Sequence, residues 1–149
     1  MVKKPITEKE SLSNNKGGVL MTRFMSFFNS QSYALMRIVV GFLFLWHGTQ
    51  KLFGFPSPLS GEMPAFVMYV GGPIELVGGT LVMLGLFTRW TAFLCSGEMA
   101  AAYWIAHGMN GLFPIQNRGE LAALYCFVFL FLSTQGGGIW SVDAVQGRQ

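Results

Sequence analysis

The fold class this chain predicts is all-α, an integral membrane bundle of four helices with both termini on the cytoplasmic side (N-in/C-in). Three observations carry it. The 149 residues are 52% hydrophobic and 11% charged, where a soluble domain carries about 25% charge. Four apolar segments of helical length stand between clear breakers. Basic residues collect on one side of those segments.

Residues 1–18 (MVKKPITEKESLSNNKGG) are too polar to bury a core and are predicted to form a disordered cytoplasmic tail. No apolar run follows the early lysines, so no cleavable signal sequence is expected. In Val19–Phe28, Leu20, Phe24, Phe27 and Phe28 fall on one helical side. That pattern predicts a short helix lying on the membrane surface, which completes a first region over residues 1–30.

A four-helix domain is expected over residues 34–135. Its spans are Ala34–Phe53, Phe66–Phe87, Arg89–Gly108 and Glu120–Gln135. The first loop, GFPSPLSGEMPA, is marked by three prolines. Only Thr88 separates spans two and three, which predicts a tight helical hairpin. Gly111, Pro114 and Gly119 break the third loop. The closing segment, residues 136–149, is a cytoplasmic tail in which IWSVDA is expected to cap the bundle, with Trp140 at the interface.

Span two organises the rest. Its 22 residues contain a single charge, Glu75, and at about 1.5 Å per residue they reach roughly 30 Å, the thickness of a hydrocarbon core. Glu75 then lies near the midplane, where an acid costs about 2.5–3.5 kcal/mol unless it faces protein. Gly71, Gly78 and Gly85 recur every seven residues on the face of Glu75, with Gly79 beside them. Pro73 predicts a kink just before the acid.

Orientation follows from the cations. Lys3, Lys4, Lys9, Lys16, Arg23, Arg89 and Arg148 fall on the N-terminal side, against Lys51 and Arg118 opposite. The positive-inside rule makes the first side cytoplasmic. The net charge of +3 forms no basic face, so nucleic acid is excluded as a partner. The lipid bilayer of a bacterial inner membrane is the expected surrounding.

The ionisable groups are candidates for function. Arg37 lies near the inner end of span one, whereas His47, Lys51, Glu75, Glu98, His107 and Glu120 crowd the outer half of the bundle. A face carrying Arg37, Gly41, Gly48 and Lys51 is expected to dock on the glycine seam of span two, where Lys51 or His47 neutralises Glu75. Two readings stand for Glu75, Glu98, His47 and Lys51. They form either a structural ion pair fixing helix register or a proton-handling site that hydrogen-bonds a quinone. Arg37, His107 and Glu120 form a further polar group.

Other chemistry is disfavoured. Glu98 and His107 are nine residues apart, on opposite sides of a straight helix, so no compact metal site is expected. Haem held by His47 and His107 is disfavoured by their different depths. Cys95 and Cys126 sit in apolar runs without CxxC spacing and read as packing residues. No nucleotide-binding glycine loop and no nucleophile–base–acid set is visible, so the chain has no self-contained catalytic site.

Three segments carry a resemblance to a known family: LMRIVVGFLFLWHGTQKLFGF (Leu35–Phe55), PIELVGGTLVMLGLFTRWTA (Pro73–Ala92) and GGGIWSVDA (Gly136–Ala144). In this order and spacing they resemble the DoxX family of small four-helix membrane proteins. The matching positions are Arg37, Lys51, Glu75 and Arg89. The resemblance implies a link to respiratory redox chemistry, as in the small subunit of archaeal thiosulfate:quinone oxidoreductase, or to membrane complexes that handle thiol and oxidative stress. It implies an accessory, quinone-interacting subunit with a soluble or membrane redox partner, and transfers no catalytic role to a residue. The competing class is a structural or small-molecule transport bundle. The glycine seams also permit a homo-oligomer.

Overall fold

A computed structural model describes residues 19–58, 61, 64–111 and 113–148, and all regular structure among them is helical. The polar tail 1–18, for which disorder was expected, lies outside the described residues. The expected surface helix is α1 (Val19–Phe27), which meets α2 (Asn29–Phe53) at a 45° bend. Leu20, Phe24, Phe27 and Phe28 are all exposed. α2 stops at Gly54, whose left-handed backbone (φ 66) turns its N–H back to the Gln50 carbonyl.

The second span is α3 (Val67–Leu84), and its expected kink takes the form of two π turns, Val67–Gly71 and Ile74–Gly78, on either side of Pro73. Pro73 lacks an N–H and crowds the preceding turn, and widening the helix relieves both faults. Gly85 (φ 69) ends α3, and Phe87 (φ 50) completes the turn into α4 (Thr88–Ala102). α4 continues as a π turn, Tyr103–His107, and a 3-10 turn, Gly108–Asn110. The third loop contains a short helix, α5 (Pro114–Asn117). α6 (Glu120–Gln135) has the bounds its sequence predicts, and α7 (Val142–Val145) lies in the C-terminal segment.

α6 packs along α4, and α2 packs along α3. Phe44 of α2 reaches Phe129 and Tyr125 of α6, with ring centroids 4.6 and 5.2 Å apart, and Val82, Ala92, Cys95, Met99 and Leu132 complete the core.

Glycines set the closest approach between helices, along two directions. Cβ atoms on Gly41 and Gly48 of α2 would sit 2.5 and 2.4 Å from the backbone amides of Met83 and Leu76, and one on Gly79 would sit 2.6 Å from that of Leu45. Gly71 and Gly78 instead face α4, where their missing Cβ atoms leave room for Glu98 and Cys95. Adjacent residues point about 100° apart on a helix. Each Gly-Gly doublet therefore serves both neighbours of α3. The expected single seam of Gly71, Gly78 and Gly85 is two half-seams, and Gly85 is the stop signal.

Of the expected four spans, α3 is the helix long and apolar enough to cross a bilayer by itself, and α1 with α2 would be a second if the bent pair is one span. α6 is apolar but only 16 residues long. α4 gives up regular α geometry after Ala102. Arg37, His47, Gln50 and Lys51 dilute the apolar character of α2.

The C-terminal segment fastens the α3–α4 turn. Fully buried Arg37 donates to the carbonyls of Val82 (2.8 Å), Met83 (2.6 Å) and Trp140 (2.8 Å), tying the end of α3 to the residues before α7. Asp143 accepts from the Phe87 N–H (2.9 Å), the Thr88 N–H (2.8 Å) and the Thr88 hydroxyl (2.7 Å). An anion is thus placed at the start of α4, where the unpaired amides of a helix N-terminus favour it. Burial alone would push the Asp143 carboxyl up. The Thr88 and Phe87 donors, with Arg148 nearby, outweigh burial and hold it below its usual range.

A candidate ligand cleft with a charged wall

The Gly41–Gly79 and Gly48–Gly72 approaches bring α2 and α3 nearly backbone to backbone. That closeness fixes the register that carries Lys51, three residues after Gly48, to Glu75, three residues after Gly72. Lys51 Nζ donates to Glu75 Oε1 at 2.5 Å, with the two side chains 14% and 3% exposed. Glu98 reaches the same place from α4. Its Oε1 lies 3.1 Å, and Lys51 Nζ 3.9 Å, from the point a Gly71 Cβ would occupy. Glu98 Oε1 therefore stands nearest the space that glycine leaves open, with the Lys51 ammonium close by and bonded to Glu75. Glu75 Oε2 and Glu98 Oε2 are buried, and neither has a hydrogen-bond partner among the described residues.

Beside this group, α3 and α4 line a cleft of about 540 Å³, within the range of small-molecule sites. Lys51 and Glu98 supply its charged wall; Phe66, Val70, Phe93 and Ile105 are among its apolar lining. Glu75 does not line it. The sequence made Glu75 the central acid of the site; in the fold it stands behind Lys51 and holds it. Glu98 and Lys51 are the groups a ligand would meet.

The remaining candidates lie elsewhere. His47 meets Tyr125 edge-on, 5.9 Å between centroids, and Tyr125 stacks on Phe129. The alternative partner expected for Glu75 is thus spent on an aromatic contact, and the longer Lys51 makes the ion pair. His107 Nδ1 donates to the Asn117 carbonyl at 3.0 Å. Asn117 holds the loop through Tyr103, Gly111 and Gly119. Glu120 is exposed at the first turn of α6. Arg37 belongs to the opposite end of the α3–α4 hairpin, so Arg37, His107 and Glu120 do not come together. Both cysteines are free thiols. Cys95 is buried in the core, and Cys126 lies 3.7 Å from the Ser96 hydroxyl.

Sequence reasoning missed Gly97 and Ala101, which lie one helical turn apart and help line the cleft. The signal was present as a small residue repeated at i, i+4 on α4, beside Glu98.

The family model for DoxX matches residues 32–108, which take in α2, α3 and α4 with Lys51, Glu75 and Glu98. An uncharacterised protein of Haemophilus influenzae is 46% identical over 116 residues, covering 74% of this chain and 87% of its own length. A Bacillus subtilis protein provisionally named oxidoreductase CatD is 41% identical over 113 residues, covering 73% of this chain and 82% of its own. An uncharacterised membrane protein of Mycobacterium tuberculosis is 32% identical over 132 residues, covering 75% and 79%. No solved structure matches. The chain belongs to the DoxX family.

Proposed function

We propose that this protein is a multi-pass subunit of the bacterial inner membrane, N-in/C-in, that binds a quinone in the α3–α4 cleft and serves a membrane redox complex. The observation that carries the reading is the cleft itself. It is an apolar trough open beside α3 and α4, and its polar groups, Lys51 and Glu98, lie together on one wall. Long apolar side chains face outward, among them Val39, Phe42, Val70, Val77, Phe93 and Phe127, while Arg37 and Glu75 are buried. That reversal supports a lipid surrounding, as does the kinship with a protein named for the membrane.

The residues fit a quinone head. Glu98 Oε2 is a buried polar atom with no hydrogen-bond partner among the described residues, and Lys51 has donors beyond the one given to Glu75. Both would meet ring oxygens, and the apolar walls would take the isoprenoid tail. A bound quinone supplies two-electron, two-proton chemistry. Glu98 holds or passes a proton at Oε2, Lys51 orients the ring oxygen, and Glu75 holds Lys51 in place. The electrons come from a partner protein; the provisional name of the Bacillus relative supports that redox setting.

The test is the quinone content of protein purified in mild detergent. The wild type is expected to retain about one quinone per chain. Glu98→Leu removes the polar contact and is expected to lower the content roughly tenfold, the worth of one hydrogen bond to a charged group. Gly97→Leu fills the cleft where a Cβ would touch nothing within 4 Å, and lowers it without disturbing the helices. Absence of quinone from the wild type would favour the second reading, a structural or transport bundle. The closed Lys51–Glu75 pair is what supports that reading.

A further inference from the structure

At the other end of the α3–α4 hairpin lies a second cleft, of about 240 Å³, between the Phe87–Trp90 turn and the Gly136–Gly137 loop. Arg89 and Arg148 both line it. Neither guanidinium is within ion-pair distance of a carboxylate among the described residues. Arg89 is held at the end of α6 by the Ser133 and Thr134 carbonyls, at 3.3 and 2.5 Å, and Gly136 leaves room for it. Arg148 lies 5.2 Å above the Phe87 ring. Asp143 also lines the cleft. Both of its oxygens are already engaged by the amides of Phe87 and Thr88 and the Thr88 hydroxyl. Among the described residues that line the corner, two cations stand against one anion, with Arg89 also held by the Gln135 carbonyl at 3.4 Å.

This corner continues into an apolar groove. Trp90 borders it and also borders a trough of about 410 Å³ that runs along α3 and α4 past Val77, Leu81 and Leu94. A positive corner leading into an apolar channel has the shape and charge of an amphiphile with an anionic head. We infer that Arg89 and Arg148 bind the phosphodiester of an anionic phospholipid, with an acyl chain laid along the Val77–Leu94 groove. Arg is suited to phosphate because its planar fork gives paired donors. The inference rests on the membrane half of the proposed function and not on its quinone half.

Full-length protein in detergent is equilibrated with mixed micelles holding equal phosphatidylglycerol and phosphatidylcholine, and phospholipid retained per chain is counted. Phosphatidylglycerol is expected to be enriched over phosphatidylcholine. Arg148→Gln is expected to cut that enrichment about fivefold, the worth of one basic residue at an anionic surface. Val77→Phe is expected to cut it as well; Val77 is exposed in the groove and does not line the quinone cleft. Quinone content, measured on the same samples, is expected to be unchanged by Arg148→Gln, because Arg148 does not line the quinone cleft, whereas the groove of Val77 shares Ile74, Trp90 and Leu94 with it. Equal retention of the two lipids by the wild type would overturn the inference, as would variants that retain phosphatidylglycerol like the wild type. Displacement of the lipid by inorganic phosphate alone would assign the corner to a free anion and overturn it also.

Discussion

Lys51 and Glu75 join α2 to α3, with Glu98 of α4 beside them, and the energetics of the three differ residue by residue. Glu75 is almost wholly buried and has one protein partner for its charge, Lys51. Removing the ammonium by Lys51→Met leaves an uncompensated acid and is expected to cost about 3–5 kcal/mol of stability. The double substitution Lys51→Met with Glu75→Leu removes both charges and should recover most of that loss, as read by thermal unfolding in detergent. A double variant no more stable than Lys51→Met would show that the pair is not the unit of stability here. Glu98 shares no such bond, so Glu98→Leu should change ligand content far more than melting temperature. The contrast between Glu75 and Glu98 separates the register charge from the ligand-facing one.

Among the elements, α3 decides the geometry, because it presents glycine to two neighbours at once. Gly72 and Gly79 let α2 approach, and Gly71 and Gly78 let α4 side chains in. A valine at Gly79 would drive its side chain into the Leu45 backbone, which cannot yield as a flexible side chain would. Gly79→Val is therefore expected to cost about 3 kcal/mol, the upper range for overpacking. Lys51 would lose its register against Glu75 at the same time. Gly97→Ala is the control, since a Cβ there meets nothing within 4 Å; inside α4 it should be neutral to stabilising, by up to about 1 kcal/mol. Comparing the two melting temperatures tests whether the small residues act through helix approach or merely through composition.

For the whole molecule, the turn of the α3–α4 hairpin is closed by chain far away in sequence, and residues of both helices line the cleft. Arg37, Tyr33, Asp143 and Ser141 fasten the C-terminal segment; Tyr33 Oη donates to the Gly136 carbonyl at 2.5 Å and Ser141 Oγ to the Gly138 carbonyl at 2.6 Å. Asp143→Asn is expected to cost about 1–3 kcal/mol, because the Phe87 and Thr88 donors lose their charged acceptor. The pH dependence has a definite sign. Asp143 titrates below its ordinary value of 3.8 in the fold, so its stabilisation is complete above that pH and is lost as pH falls through the folded value. Limited proteolysis of the C-terminal segment should show little change for the wild type from pH 7 down to 3.8 and release only as pH is taken below that value. The Asn variant should be cleaved more readily at pH 7 and should gain less in acid.

Much of this was legible in the linear chain, because it depends on local rules. The apolar runs, the break at Gly54, the interruption at Pro73 and the bounds of α6 follow from propensity and from where a backbone N–H or a Cβ is missing. That Glu75 would meet a cation of α2, Lys51 or His47, could be anticipated from spacing, since both cations and the acid lie on or beside glycine-bearing helix faces. Other features depend on which helix lies beside which. That Lys51 and not His47 reaches Glu75, that Glu98 and not Glu75 lines the cleft, and that Asp143 caps α4 were all settled by packing. A linear chain records faces, but which residues of α3 and α4 come to line one cleft depends on how side chains meet across the bundle.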